Sequence, residues 1–179
     1  MNKKLLAMAV AAGMGMTGAA WAASDGTVGA TSSGTVDVLL VIPSLIQVVV
    51  EGDVDLGTFD PTAAADETGA IGACVRTNGA TTYDITATSA NDNAGAFRMS
   101  DGGTNFIEYT FNWDGVPLTS GTLNNNGGTG FARDNVGPGF STCTAAGNGK
   151  IDVVVPEANM LGAEVGSYQD TVTLLVAPI

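Results

Sequence analysis

Cys74 and Cys143 are the only two thiols in the chain, and it contains no histidine. That removes every Ser-His-Asp or Cys-His mechanism and every imidazole metal ligand. Ser141 and Thr142 consequently have no base to activate them, and two thiols alone do not make a tetrahedral zinc site. Asp53 and Asp55 flank Val54 and would share one face of a strand. Paired carboxylates hydrolyse glycosides, but two acids at this spacing on an exposed face read as surface charge. Asn91-Asp92-Asn93, with Asp101 nearby, lacks the alternating acids and closing Glu of a calcium loop and reads as a solvated turn. Gly102-Gly103 and Gly127-Gly128-Thr129-Gly130 lack the lysine of a phosphate loop. Tyr109, Phe111 and Trp113 have the types of a sugar-stacking platform, but their strict alternation predicts burial in a core. No catalytic, cofactor-binding or metal residue is assigned, no cofactor is expected, and the chain does not read as an enzyme.

The rest of the sequence must explain a different kind of work. Of its 179 residues, 18 are acidic and 6 basic, for a net charge of −12. Met1-Asn2-Lys3-Lys4, the apolar run Leu5–Ala20 and the small-x-small triplet Ala20-Trp21-Ala22 read as a secretory signal over 1–22, cleaved before Ala23. Lys3 and Lys4 would leave with it, so four basic residues would face 18 acidic ones, a charge of −14. This sign repels phosphate backbones, so neither nucleic acid nor an anionic membrane is expected as partner. No later run approaches 18 apolar residues, so no membrane insertion is expected after cleavage. Export leads to an oxidising compartment, where Cys74 and Cys143 are expected to pair.

Behind the signal, 23–34 is small, polar and without period, and reads as a mobile arm. Thr35–Ile42 then places Val36, Val38, Leu40 and Ile42 on one face at period two. Pro43-Ser44 separates it from a second β-rich run, Leu45–Val50. Val54–Phe59 reads as a third short strand, 62–70 as a loop and Ile71–Arg76 as a short strand. Thr81–Thr88 and Asn105–Trp113 alternate cleanly, the latter with Ile107, Tyr109, Phe111 and Trp113 on one face. Phe97–Met99 precedes the Asp101-Gly102-Gly103 turn. Residues 119–150 are rich in Gly, Asn and Thr, with one short strand near Phe131–Arg133. Ile151–Val155 and Tyr168–Val176 close the pattern. No helical period is visible, and eight or nine short strands predict an all-β antiparallel sandwich.

The segment Thr35–Ile42 is the unusual one. Composition and spacing leave two readings open: the first strand of its own sandwich, or a strand donated to a neighbouring copy. A donated strand completes an exposed sheet edge through ladder bonds and alternate side chains in pockets.

Three stretches bear on that choice. They are Gly34-Thr-Val-Asp-Val with Asp55-Leu-Gly-Thr-Phe-Asp-Pro61, then Arg98-Met-Ser-Asp-Gly-Gly-Thr-Asn-Phe-Ile-Glu-Tyr109, and Gly166-Ser-Tyr-Gln-Asp-Thr-Val-Thr173. In this order, spanning 34–178, they resemble subunits of chaperone–usher pili of the archaic type, which share the spore coat protein U domain. The resemblance implies an immunoglobulin-like antiparallel sandwich that is incomplete and is completed by a neighbour's donor strand. It implies a signal at 1–22, an arm and donor strand at 23–43 and a pilin domain at 44–179. Val36, Val38, Leu40 and Ile42 would be the donor anchors, and Val172, Leu174 and Val176 would line the acceptor groove. Its implied partners are other copies of the chain, a periplasmic chaperone and an outer-membrane usher, on a route through the periplasm to the cell surface. Family members often carry a cysteine about where Leu45–Val48 stands. Here it is missing, which leaves Cys143 as the partner for Cys74. The expected function is a structural pilus subunit in adhesion or biofilm formation. The alternative is a self-contained secreted sandwich that binds carbohydrate or serves in a biofilm matrix.

Overall fold

The computed structural model describes residues 24–134 and 150–179. The expected signal at 1–22, and Cys143 with Ser141 and Thr142, lie outside the described residues. The chain divides into two units, Met1–Ile42 and Pro43–Ile179.

The second unit is all-β. Its strands are β1 (Ile46–Val50), β2 (Glu67–Thr77), β3 (Thr82–Ser89), β4 (Phe97–Ser100), β5 (Phe106–Trp113), β6 (Val116–Pro117), β7 (Leu123–Asn124), β8 (Phe131–Ala132), β9 (Lys150–Val155) and β10 (Val172–Pro178). A six-stranded sheet runs β1-β2-β9-β5-β4, with β6 on β5, and a four-stranded sheet runs β10-β3-β7, with β8 on β3. Every pairing is antiparallel. Both sheets feed one apolar cluster, an arrangement consistent with a β-sandwich.

The period-two pattern sets which residues enter that cluster. Ile107, Phe111 and Trp113 of β5 are buried, as are Tyr83, Ile85 and Ala87 of β3. Phe111 stacks on Phe97 with ring centroids 5.2 Å apart. Trp113 Nε1 donates to the Tyr83 hydroxyl at 2.9 Å, joining β5 of one sheet to β3 of the other. Both rings are almost wholly buried, so the Tyr83 oxygen satisfies the indole N–H where water cannot.

Several boundaries differ from the sequence reading. Val54–Phe59 is not a strand. Asp55 Oδ1 accepts from the Gly57 amide at 2.9 Å, and Gly57 sits at φ +74°, so the backbone turns instead of entering a ladder. Val54 and Leu56 still pack on the core; their alternation records contact, not pairing. They lie over Gly69, where a Cβ would collide with both side chains. Asp53 and Asp55 therefore share no strand face.

The expected loop over 62–70 is in part the first half of β2, because Glu67–Gly72 pair residue by residue with Val155–Lys150 of β9. A short helix, α1 (Glu157–Leu161), follows Pro156, and Asp66 Oδ1 accepts from its first amide at 2.9 Å. Five residues are too few to display a helical period. The last strand begins at Val172, not Tyr168.

Candidate functional site

The core is closed on one side and open on the other. Val75 of β2, Ile85 and Ala87 of β3 and Val155 of β9 are essentially sealed. Val172, Leu174 and Val176 of β10, and Ile46 and Val48 of β1, pack on the same cluster but remain only half-buried. Among the described residues these two strands are the outer strands of their sheets: β10 pairs only with β3, and β1 only with β2. Residues of β1 and β10 approach within 8 Å, Cα to Cα, with no ladder between the two strands.

The ladder register decides which backbone groups face that opening. At the ends of β10, Ala90 N donates to Thr171 O at 2.9 Å and Ile179 N donates to Thr82 O at 3.2 Å. Odd-numbered residues of β10 therefore bond to β3. In an antiparallel ladder the alternate residues point the other way. The N–H and C=O groups of Val172, Leu174 and Val176 thus face the outer edge. The same holds for β1, where Asn78 N donates to Leu45 O at 3.3 Å and Glu51 N to Gly72 O at 2.9 Å. Odd residues bond to β2, and Ile46 and Val48 turn their backbone groups outward. On both edges the half-buried aliphatics that pack on the core cluster are residues with outward-facing backbone.

The resemblance implied Val172, Leu174 and Val176 as groove-lining residues, and the structure puts these three in one inward row of β10. The resemblance named neither Ile46 nor Val48, the half-buried pair of β1. Their alternation within Leu45–Val50 was the available signal.

The first unit has a different character. Ser24 and Thr35 exchange backbone hydrogen bonds at 3.1 and 3.2 Å, closing the arm into a loop. Beyond it, Val36, Val38, Leu40 and Ile42 are 77, 91, 78 and 73% exposed, and Leu39 and Val41 are also exposed. Among the described residues the expected strand over Thr35–Ile42 is not formed, and of this segment only Thr35 makes a bridge. A strand exists only with a ladder partner. Six exposed aliphatic side chains in seven residues form the kind of apolar surface that marks an interaction site.

The start of β10 is held by a polar cluster around Asp170. Its carboxylate accepts from Tyr109 Oη at 2.6 Å, Ser89 Oγ at 2.7 Å and Asn91 Nδ2 at 3.1 Å. Burial first, and then the adjoining Asp170, push the Tyr109 hydroxyl far above the usual phenol range. Asn91 belongs to the turn weighed as a calcium loop. Arg98 Nε donates to its carbonyl at 2.9 Å, and Arg98 NH2 to that of Asp92 at 3.4 Å. Among the described residues, no three His, Cys, Asp or Glu converge as metal ligands.

A cleft of about 580 Å³ opens nearby between Asn91, the Ser100–Gly103 turn, Phe106 and Gln169. The Asp101 carboxylate in its wall accepts from Gly103 N, Asn105 N and Asn105 Nδ2, so loop bonds already engage it. Trp113 is fully buried and Phe111 nearly so, leaving no exposed platform on that row. Cys74 is disulfide-bonded.

No family model matches the chain, and no curated protein matches it.

Proposed function

We propose that the chain is a structural subunit of an extracellular pilus, built by donor-strand exchange along the chaperone–usher route. The domain over 44–179 is an immunoglobulin-like sandwich short of one strand. The Val36–Ile42 segment of a neighbouring copy fills the place between β1 and β10. One observation carries this reading. Two facing edges turn half-buried aliphatics and outward backbone groups toward one opening, while an aliphatic segment of the same chain stays exposed. The resemblance of 34–178 to archaic pilus subunits supports it further.

A strand laddered to both edges needs roughly 10 Å between them, twice the usual spacing of about 4.8 Å. Residues of the two strands already approach within 8 Å, so seating it requires β1 and β10 to part by at least about 2 Å there. Burial of Val36, Val38, Leu40 and Ile42 contributes about 1.5–3 kcal/mol each, enough to drive that opening. Before assembly a periplasmic chaperone strand occupies the opening, and an outer-membrane usher exchanges it for the incoming subunit. The polymer is then carried to the cell surface, where it serves adhesion or biofilm formation.

The test is deletion of 23–42. The truncated subunit is expected to accept a partner's strand but to stop each growing chain that it joins. Filament growth at the normal rate by the truncated protein overturns the proposal.

A further inference from the structure

The chain enters β1 through a clamp. Asn78, in the turn between β2 and β3, accepts at Oδ1 from Leu45 N at 2.8 Å and donates from Nδ2 to Pro43 O at 2.6 Å. Its own amide donates to Leu45 O at 3.3 Å. The turn beneath it is held in place, because Thr77 Oγ1 donates to Ala80 O and Arg133 NH1 donates to Thr77 O at 3.2 Å. Pro43 and Leu45 thus both turn backbone groups toward β2, as alternate residues of an extended strand do. The Asn78 carboxamide carries the β1–β2 pairing upstream to Pro43, beyond the end of the ladder itself.

The sequence allows a different path. A three-residue loop at 43–45 would set Ile42 opposite Ile46, Leu40 opposite Val48 and Val38 opposite Val50. These are the even-numbered residues of β1, whose backbone groups face the opening. Directly opposed residues share a face of the sheet, so Leu40 and Ile42 would enter the chain's own core beside Val48 and Ile46. Pro43 suits the start of such a loop, since proline is favoured at the second position of a type I turn. The third loop residue then turns left-handed. Leu45 does not have a positive φ in this structure, and adopting one would cost it both bonds to Asn78. A strand tethered this closely competes at an effective concentration of about millimolar or more. The geometry at 43–45 therefore decides whether the opening is filled from within or by a neighbour.

We propose that Asn78 is the positioning residue that bars self-filling. By holding Pro43 and Leu45 to the β2 side, it keeps the 36–42 segment of each chain for another copy. The proposal rests on the donor-strand reading of the same opening and adds what makes the exchange intermolecular.

The test follows uptake of a fluorescent synthetic peptide of residues 31–42 by the full chain, with thermal melts and filament growth measured beside it. Wild type is expected to take up the peptide. Asn78→Ala is expected to take it up at least tenfold more slowly and to grow filaments at least tenfold more slowly, with a raised melting temperature, because its own segment fills the opening. Leu40→Asp supplies the control, since a charged segment cannot fill its own core. In that background Asn78→Ala is expected to change neither peptide uptake nor the melting temperature by a comparable amount. Uptake by Asn78→Ala at the wild-type rate overturns the inference and leaves the pilus reading untouched. Slowed uptake that persists in the Leu40→Asp background, with a lowered melting temperature, also overturns it, because Asn78 would then only brace the acceptor domain. A wild type that neither takes up the peptide nor forms filaments fails the pilus reading and this inference with it.

Discussion

Tyr109 donates its hydroxyl to Asp170 at 2.6 Å, across 61 positions of sequence. The bond ties β5 of the six-stranded sheet to the residue two before β10 of the other. The same carboxylate takes Ser89 and Asn91, at and just beyond the end of β3. Asp170 thereby fixes where β10 begins, and with it the register that turns Val172, Leu174 and Val176 toward the open edge. Asp170→Asn keeps the shape but replaces one acceptor oxygen with a donor, leaving partly buried hydroxyls unmatched. A loss of about 1–3 kcal/mol is expected, read as a fall of several degrees in Tm. Combined with Tyr109→Phe, the loss should be smaller than the sum of the two single effects, because both remove the same bond. Additive effects in the thermal melts would contradict this account.

Alkaline pH should unfold the domain. Burial is the main cause raising the Tyr83 hydroxyl far above its ordinary value; the charges of Asp134 and Asp114 add to it, and the Trp113 hydrogen bond opposes it. Tyr109 is raised by burial and by Asp170. Both groups keep their proton more firmly when folded than when unfolded. Their contribution is therefore complete below the unfolded phenol value near 10 and is lost as pH rises above it. Each tyrosine steepens the loss by about 1.4 kcal/mol per pH unit. Thermal melts from pH 8 to 12 are expected to fall steeply beyond pH 10, and Tyr109→Phe should roughly halve the slope. A flat Tm across that interval would remove the tyrosines from the argument.

What was legible in the sequence follows from where periodicity has one cause. In Asn105–Trp113 one face is core and the other is solvent, so the alternation of Ile107, Tyr109, Phe111 and Trp113 marked the buried row directly. In Glu67–Gly72 the strand is imposed by pairing with β9, and Gly69, Ala70 and Gly72 are too small to display a face. In Val54–Phe59 the pattern was present, but packing over Gly69 produced it, with no ladder. The candidate acceptor edge has two halves. Its β10 row was visible as Val172, Leu174 and Val176. That Ile46 and Val48 face the same opening depends on two strands more than 100 residues apart, and on a backbone parity that only the register of each ladder reveals. The Asp170 cluster was equally hidden, since Ser89 and Asn91 at the end of β3 and Tyr109 of β5 converge on it from distant parts of the sequence.

Reduction of the disulfide should weaken the domain and spare an assembled fibre. Cys74 lies in β2, is bonded, and its sequence offers Cys143 as the one other cysteine. A bridge closing a loop of about 70 residues is worth roughly 4 kcal/mol in the chain-entropy model. The proposed donor segment contains no cysteine, so a joint made by it would not rely on that bond. Mild reductant is expected to lower the Tm of the isolated subunit by several degrees, while filaments keep their length in electron micrographs. Filaments that fall apart in the same reductant would mean that the bridge belongs to the joint.

A charge placed in the donor segment should separate folding from assembly. Leu40 is 78% exposed in the single chain, so Leu40→Asp removes no core contact there and should change subunit stability by less than about 0.5 kcal/mol. In a seated strand the same carboxylate would lie against Val172, Leu174 and Val176, and burying an unpaired charge among aliphatic side chains costs several kcal/mol. Growth of filaments from purified subunits is therefore expected to slow by two orders of magnitude or more, with an unaltered melting curve. Asp37→Asn, whose side chain falls on the opposite face of the segment from Val36 and Val38, should leave growth nearly unchanged. The contrast between the two variants is the informative quantity. If Leu40→Asp polymerises as fast as Asp37→Asn, the period-two row of this segment does not face the core of a neighbour. If Leu40→Asp instead lowers the melting temperature of the lone subunit, the segment belongs to its own sandwich.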